Sequence, residues 1–257
     1  MKTLRFTFLA LLVLSAVSCQ KSGTTSTDSS AVVTQAVDVA ASSLAGNSFG
    51  FVSATDNLAA NAQTLNSVSP QSVNSIGANS VHQACGTTVA DSLTNSGSTS
   101  SVTFSFFAKY SRTLNCNVSS QPDNLVNALT FKGNFDGPRL SSTDSGTAQF
   151  TIAGLTTNAT SWVVNGEYKR AGSFTSKTGD KTTGNSNIDI KVTNLMLTKP
   201  SGHIAGGTGI IGISVVTSKG TYSFNGTVVF NGDGTANLTV NNTVYVVDLA
   251  TGTYTKK

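Results

Sequence analysis

Residues 222–249 read YSFNGTVVFNGDGTANLTVNNTVYVVDL. Tyr222, Phe224, Val228 and Phe230 alternate with Ser223, Asn225, Thr227 and Val229. One side of the extended chain is therefore apolar and the other mostly polar. Period-two alternation marks a strand with one buried and one solvated face, the habit of antiparallel sheets. Asn231-Gly-Asp-Gly234 interrupts the pattern, and a new run continues to Val240. Asn241-Asn242 separates that run from the next, and Asn tolerates the positive φ that a type I′ turn requires. The segment predicts consecutive strands joined by tight turns.

The same period extends backwards. Ile211, Ile213 and Val215 alternate with Gly212 and Ser214, and similar stripes run through Ile188-Ile190-Val192, Trp162-Val164-Tyr168 and Ala148-Phe150-Ile152. Leu129-Phe131-Phe135 and Val102-Phe104-Phe106 continue the series. No convincing helix intervenes, so residues 85–257 are expected to form a mainly β domain. Its architecture should be an antiparallel meander, folded as a sandwich or a curved open sheet. An apolar-x-Gly-x-apolar motif recurs at Phe131–Phe135, Val164–Tyr168 and Phe224–Val228. Its irregular spacing argues against a repeat architecture. A mid-strand glycine instead lets a sheet bend, or lets a neighbouring ring cover bare backbone.

Composition agrees with strands and turns. Only 11% of residues are charged, and Glu167 is the only glutamate, whereas 38% are hydrophobic, enough to supply a core. The formal net charge is +4, of which Lys2 and Arg5 contribute two units. That balance is too small and too dispersed for nucleic-acid binding. The densest basic stretch, Lys169, Arg170, Lys177 and Lys181, reads as a solvated loop face.

Residues 31–84 look different. Val33, Ala36, Val37, Ala40 and Leu44 share one helical face, and Gly46 is the expected stop. A helix over Ala31–Ala45 is expected, although its opposite face is also rather apolar. Asp56–Leu65 suits a second short helix within an otherwise irregular region.

The first residues have the layout of an export signal. Met1–Arg5 carries two positive charges, Phe6–Leu14 is apolar except for Thr7, and Ala16-Val17-Ser18 offers small side chains before Cys19. The apolar run is too short to span a bilayer, which needs about 20 residues. Leu14-Ser-Ala-Val-Ser-Cys19 resembles the lipobox of bacterial lipoprotein precursors. The resemblance covers the first nineteen residues and implies cleavage after residue 18, with lipid on Cys19. Ala16 stands where that family usually has Leu. With Gln20 rather than Asp after the cysteine, the Gram-negative family rule implies the outer membrane. Residues 19–30 read as the lipidated cysteine and a flexible tether, the eleven residues after Cys19 spanning about 18 Å.

Several motifs touch on chemistry. Gly46-Asn-Ser48-Phe-Gly50 matches the hydrolase nucleophile elbow, but the expected helix precedes it where the elbow needs a strand. His82 and His203 are the only histidines available as bases. Gly207-Thr-Gly209-Ile-Ile-Gly212 matches a dinucleotide fingerprint but runs into a strand rather than a helix. His82, Cys85, Cys116 and His203 lack the paired spacing of a zinc site. In an exported chain Cys85 and Cys116 more simply form a disulfide. Asn231–Gly234 is explained by a hairpin without calcium. No pair of acids stands out for glycoside hydrolysis.

The expectation is a membrane-anchored exported lipoprotein with a non-catalytic structural or interaction domain, requiring no metal or cofactor. An envelope- or glycan-binding module is the alternative, with Trp162, Tyr168, Tyr222 and Tyr245 as candidate stacking rings; a serine hydrolase ranks below both. An exposed aromatic row would favour binding, and buried rings would favour the structural or interaction reading.

Overall fold

The computed structural model describes residues 29–66, 83–179 and 181–257. Cys19 and His82 lie outside these residues. Helices α1 (Ser29–Leu44) and α2 (Phe51–Asn66) precede eleven strands. The strands are β1 (Thr88–Ser98), β2 (Thr103–Cys116), β3 (Pro122–Asp136), β4 (Leu140–Ala153), β5 (Ser161–Ser176) and β6 (Thr183–Thr198). They continue with β7 (Ile204–Thr217), β8 (Gly220–Phe230), β9 (Thr235–Val240), β10 (Thr243–Asp248) and β11 (Tyr254–Lys256). All eleven form one open sheet whose spatial order is the chain order. The expected meander is present, as a single sheet rather than a sandwich.

The turns follow their chemistry. Asn241 and Asn242 both have positive φ, 48° and 59°, and join β9 to β10 as a two-residue hairpin loop. Between β8 and β9, Asp233 Oδ1 accepts from the Thr235 amide at 2.9 Å and its hydroxyl at 2.6 Å. These bonds account for the acidic residue in that turn.

The inward side chains of the strands enclose the helices in one continuous core. In α1 every residue from Gln35 to Leu44 is buried. A helix covered on all sides needs no polar face, which is why its apolar stripe is blurred in sequence. α2 is amphipathic: Phe51, Ala54, Leu58, Ala59 and Ala62 are buried, while Asp56, Ala60 and Gln63 face solvent.

The turn between the helices supplies the centre of the core. Phe49 stacks on Phe106 at 5.2 Å and packs against Phe131 at 5.4 Å. Phe51 contacts Phe150, Tyr168 and Phe230. Gly50 makes this tight connection possible, since a Cβ there would lie 2.5 Å from the Ala45 carbonyl oxygen.

A cross-strand device recurs through the sheet. Phe104 opposes Gly97, Phe106 opposes Gly133, Phe131 opposes Gly146, Phe150 opposes Gly166 and Phe174 opposes Gly184. In each pair the ring occupies the space into which a glycine side chain would extend. Two of the three apolar-x-Gly motifs, at Gly133 and Gly166, therefore belong to a staggered series of ring-over-glycine contacts, whereas Gly226 faces Ile211.

Three further contacts tie the layers together. Arg170 forms a buried ion pair with Asp144 at 2.6 Å and donates to the Ser48 carbonyl at 2.9 Å. Asp38 of α1 binds Arg139 and accepts from the Tyr254 hydroxyl at 2.8 Å and the Thr178 hydroxyl at 3.2 Å. Such partners are what a buried carboxylate requires. Cys85 and Cys116 form a disulfide with Cα atoms 5.5 Å apart, fixing the segment before β1 to the end of β2.

Candidate binding face

Two sequence-derived stacking candidates belong to the core. Trp162 is 1% exposed and Tyr168 is fully buried, its hydroxyl donating to the Phe49 carbonyl at 3.0 Å. The apolar side of β5 faces the helices, so neither ring is available to a ligand. Tyr222 and Tyr245 are half-buried: Tyr222 donates to the Lys219 carbonyl at 3.2 Å, and Tyr245 packs edge-on against Tyr254. The four rings are not brought together into a row.

The basic stretch also divides. Lys169 points outward, whereas Arg170 points inward and is 4% exposed, correcting its expected place on a solvated face. Alternation along β5 separates the two, and Asp144 compensates the buried guanidinium. Lys177 pairs with Asp136 at 2.6 Å.

Ser48 is buried in the turn between two helices, and its hydroxyl donates to the carbonyls of Ser42 and Ala45. His203 is exposed just before β7. Gly207–Gly212 runs within β7, without the helix N-terminus that a dinucleotide fingerprint needs. Among the described residues, no group of three or more His, Cys, Asp or Glu side chains is placed to hold a metal ion.

The groups that converge lie instead on the outer face, away from the helices. Following the register from β2 to β8, one row contains Lys109, Thr130, Thr147, Lys169, Asp189, Gly212 and Asn225. The adjacent row contains Phe107, Lys132, Ser145, Ala171, Asn187, Ser214 and Ser223. Small side chains, Thr147 and Gly212 in the first row and Ser145, Ala171 and Ser214 in the second, leave an open trough of about 990 Å³. Its lining mixes apolar surface, including the half-buried rings of Phe107 at the β2 end and Phe224 at the β8 end, with hydroxyls and carboxamides. The next rows extend the depression by a second hollow of about 790 Å³, lined by residues such as Asn134, Thr143, Ser173 and Asn185.

Charge is distributed unevenly along the trough. Glu167, on its rim, binds Lys169 at 2.7 Å and Lys191 at 3.1 Å. The bond from Lys169, supported by Lys191, holds the Glu167 carboxyl down at about 2 despite some desolvation. Burial and then the adjacent Glu167 push Asp189 upward from the usual carboxylate range. At the β2–β3 end, Lys109 and Lys132 are exposed and form no ion pair among the described residues. Lys109 Nζ stands 6.0 Å from the centre of the Phe107 ring.

This outward polarity is the reverse of the apolar band that a membrane β-barrel turns towards lipid. No described helix is long and apolar enough to cross a membrane. The fold and face together define an open antiparallel sheet enclosing a helical pair and presenting a polar outer surface. Comparisons with protein-family models, curated proteins and solved structures give no match.

Sequence reasoning missed Phe107, Lys109 and Lys132 as a group. Their alternation places each on a polar strand face, but only the register across β2 and β3 makes them neighbours.

Proposed function

We propose that this chain is an exported, membrane-anchored, non-catalytic interaction protein that uses the outer sheet face as its contact surface. The observation supporting this reading is the trough, where two registered rows form an open floor that combines apolar surface with hydroxyl and carboxamide groups. The buried positions of Trp162 and Tyr168 favour an interaction role over ligand stacking at those rings. The charged start, apolar run and Cys19 supply the proposed anchor, with the outer membrane as the proposed location.

The test uses the full chain expressed in a Gram-negative host. Mass spectrometry should find an acylated mature N-terminus at Cys19, and Cys19→Ser should release the protein from membranes. Detergent-extracted protein should co-sediment with purified envelope, and Ala171→Trp should prevent this without changing the thermal midpoint. Equal sedimentation of both forms would remove the outer face from the reading. Ester hydrolysis abolished by Ser48→Ala would replace it with the hydrolase alternative.

A further inference from the structure

The chemistry of the trough points to one class of occupant. From β2 to β8 the rows cross seven strands, a distance of roughly 29 Å at ordinary strand spacing. That length suits an extended oligomer rather than a single small molecule. Thr130, Thr147, Ser145 and Ser214 offer hydroxyls, while Asn187 and Asn225 offer both donors and acceptors. These groups match a polyhydroxylated chain, whose hydroxyls both donate and accept. Phe107 supplies an apolar plate for the carbon-bound hydrogens of a sugar ring. An acyl chain would cover the apolar part of the lining but leave the Asn187 and Asn225 carboxamides and the Thr130, Thr147, Ser145 and Ser214 hydroxyls unpaired, which is costly.

Charge narrows the class further. Lys109 faces Thr130, and Lys132 lies two residues beyond Thr130 on β3. Diagonal neighbours of this kind are about 7–8 Å apart across a sheet, within reach of one anionic group held between their ammonium ends. Lys169 and Lys191 are already engaged by Glu167. Lys109 and Lys132 therefore leave uncompensated positive charge beside Phe107.

We propose that the trough binds an acidic glycan strand laid across β2–β8. One sugar ring covers Phe107, and carboxylate or phosphate groups meet Lys109 and Lys132. This rests on the outer face being the interaction surface, and it adds the chemical class of the partner.

Titration calorimetry on the detergent-extracted full chain tests the assignment with three hexasaccharides: oligogalacturonate, phosphorylated maltohexaose and neutral maltohexaose. At least one acidic probe is expected to bind ten-fold or more tightly than neutral maltohexaose, and to weaken as salt rises. The preferred acidic probe identifies carboxylate or phosphate as the recognised group. Lys109→Gln/Lys132→Gln should weaken that probe at least ten-fold, and Phe107→Ala should weaken all binding. Ala171→Trp and Ser214→Trp should each obstruct the trough, with circular dichroism and thermal midpoint verifying the fold.

Equal affinity for acidic and neutral probes would overturn the proposal, as would unchanged binding by the double-lysine variant. If no hexasaccharide binds, but envelope sedimentation persists and is abolished by Ala171→Trp, the glycan assignment fails while the interaction face stands. If Ala171→Trp leaves both measurements unchanged, both readings fail.

Discussion

The ring of Phe106 fills the space into which a side chain at Gly133, its direct partner on the neighbouring strand, would extend. The Ser105 carbonyl lies against the same position. Gly133→Ala should therefore cost about 1–3 kcal/mol through overpacking. Gly212 is the internal control, because the nearest atom to its added Cβ would be 3.9 Å away. Gly212→Ala should stay within about 0.5 kcal/mol of wild type. Urea unfolding of the two variants makes the comparison, and equal destabilisation would refute the role assigned to the ring.

Asp144 and Arg170 have side chains only 4% and 3% exposed. Burial disfavours the guanidinium charge, but Asp144 reverses that effect and raises the Arg170 pKa overall. Asp144→Ala would leave a buried cation without its partner and should cost about 3–5 kcal/mol. Asp144→Leu/Arg170→Met should recover part of that loss by removing both charges. Recovery should be incomplete because the Ser48 carbonyl also loses its donor. Chemical denaturation of the single and double variants would show a failed prediction if their costs simply add.

Acid should reveal Glu167. Its carboxyl is held at about 2 in the folded protein, against an ordinary 4.5. A pKa depressed by folding adds stability that is fully present above the unfolded value and disappears as pH falls through the folded value. The contribution should therefore fade between about pH 4.5 and 2. It should remain below about 1 kcal/mol because the ion pairs face solvent. Glu167→Gln should flatten the stability curve in that window and lower the Asp189 pKa by removing its acidic neighbour. NMR titration of Asp189 provides the second readout; no downward movement would contradict the coupling.

Reduction should loosen one edge. The disulfide joins residues separated by 31 positions, and chain-entropy reasoning gives about 3.7 kcal/mol as an upper estimate for a loop of that size. Cys85→Ser/Cys116→Ser should lower stability by up to that amount. Amide exchange should accelerate first in β1 and in the adjoining end of β2. Uniform acceleration across all eleven strands would contradict this local attachment.

Much of the sheet was legible because burial of one strand face imposes a visible period. The β9–β10 turn was legible because Asn241 and Asn242 have few competing explanations between two alternating runs. Direction was harder. Tyr168 and Arg170 share a face, yet the charge of Arg170 suggested solvent, while Asp144 on the next strand makes its burial tolerable. The weak helical stripe in α1 had a physical cause, enclosure from every side. The trough was beyond strand-by-strand reading because its two rows exist only after seven strands have taken their register.

The hydrogen bonds from Gly46 to Leu249 at 2.8 Å and from Asn47 to Ala250 at 3.1 Å join chain segments some two hundred residues apart. Because neighbouring strands are consecutive, the sheet can grow by local pairing as the chain lengthens. The turn between the helices nevertheless receives these main-chain partners only after the intervening meander has emerged. Until then, the apolar surface destined for the interior is open to association with other incompletely folded chains. Closing this junction therefore ties the first described elements of the chain to its last turn.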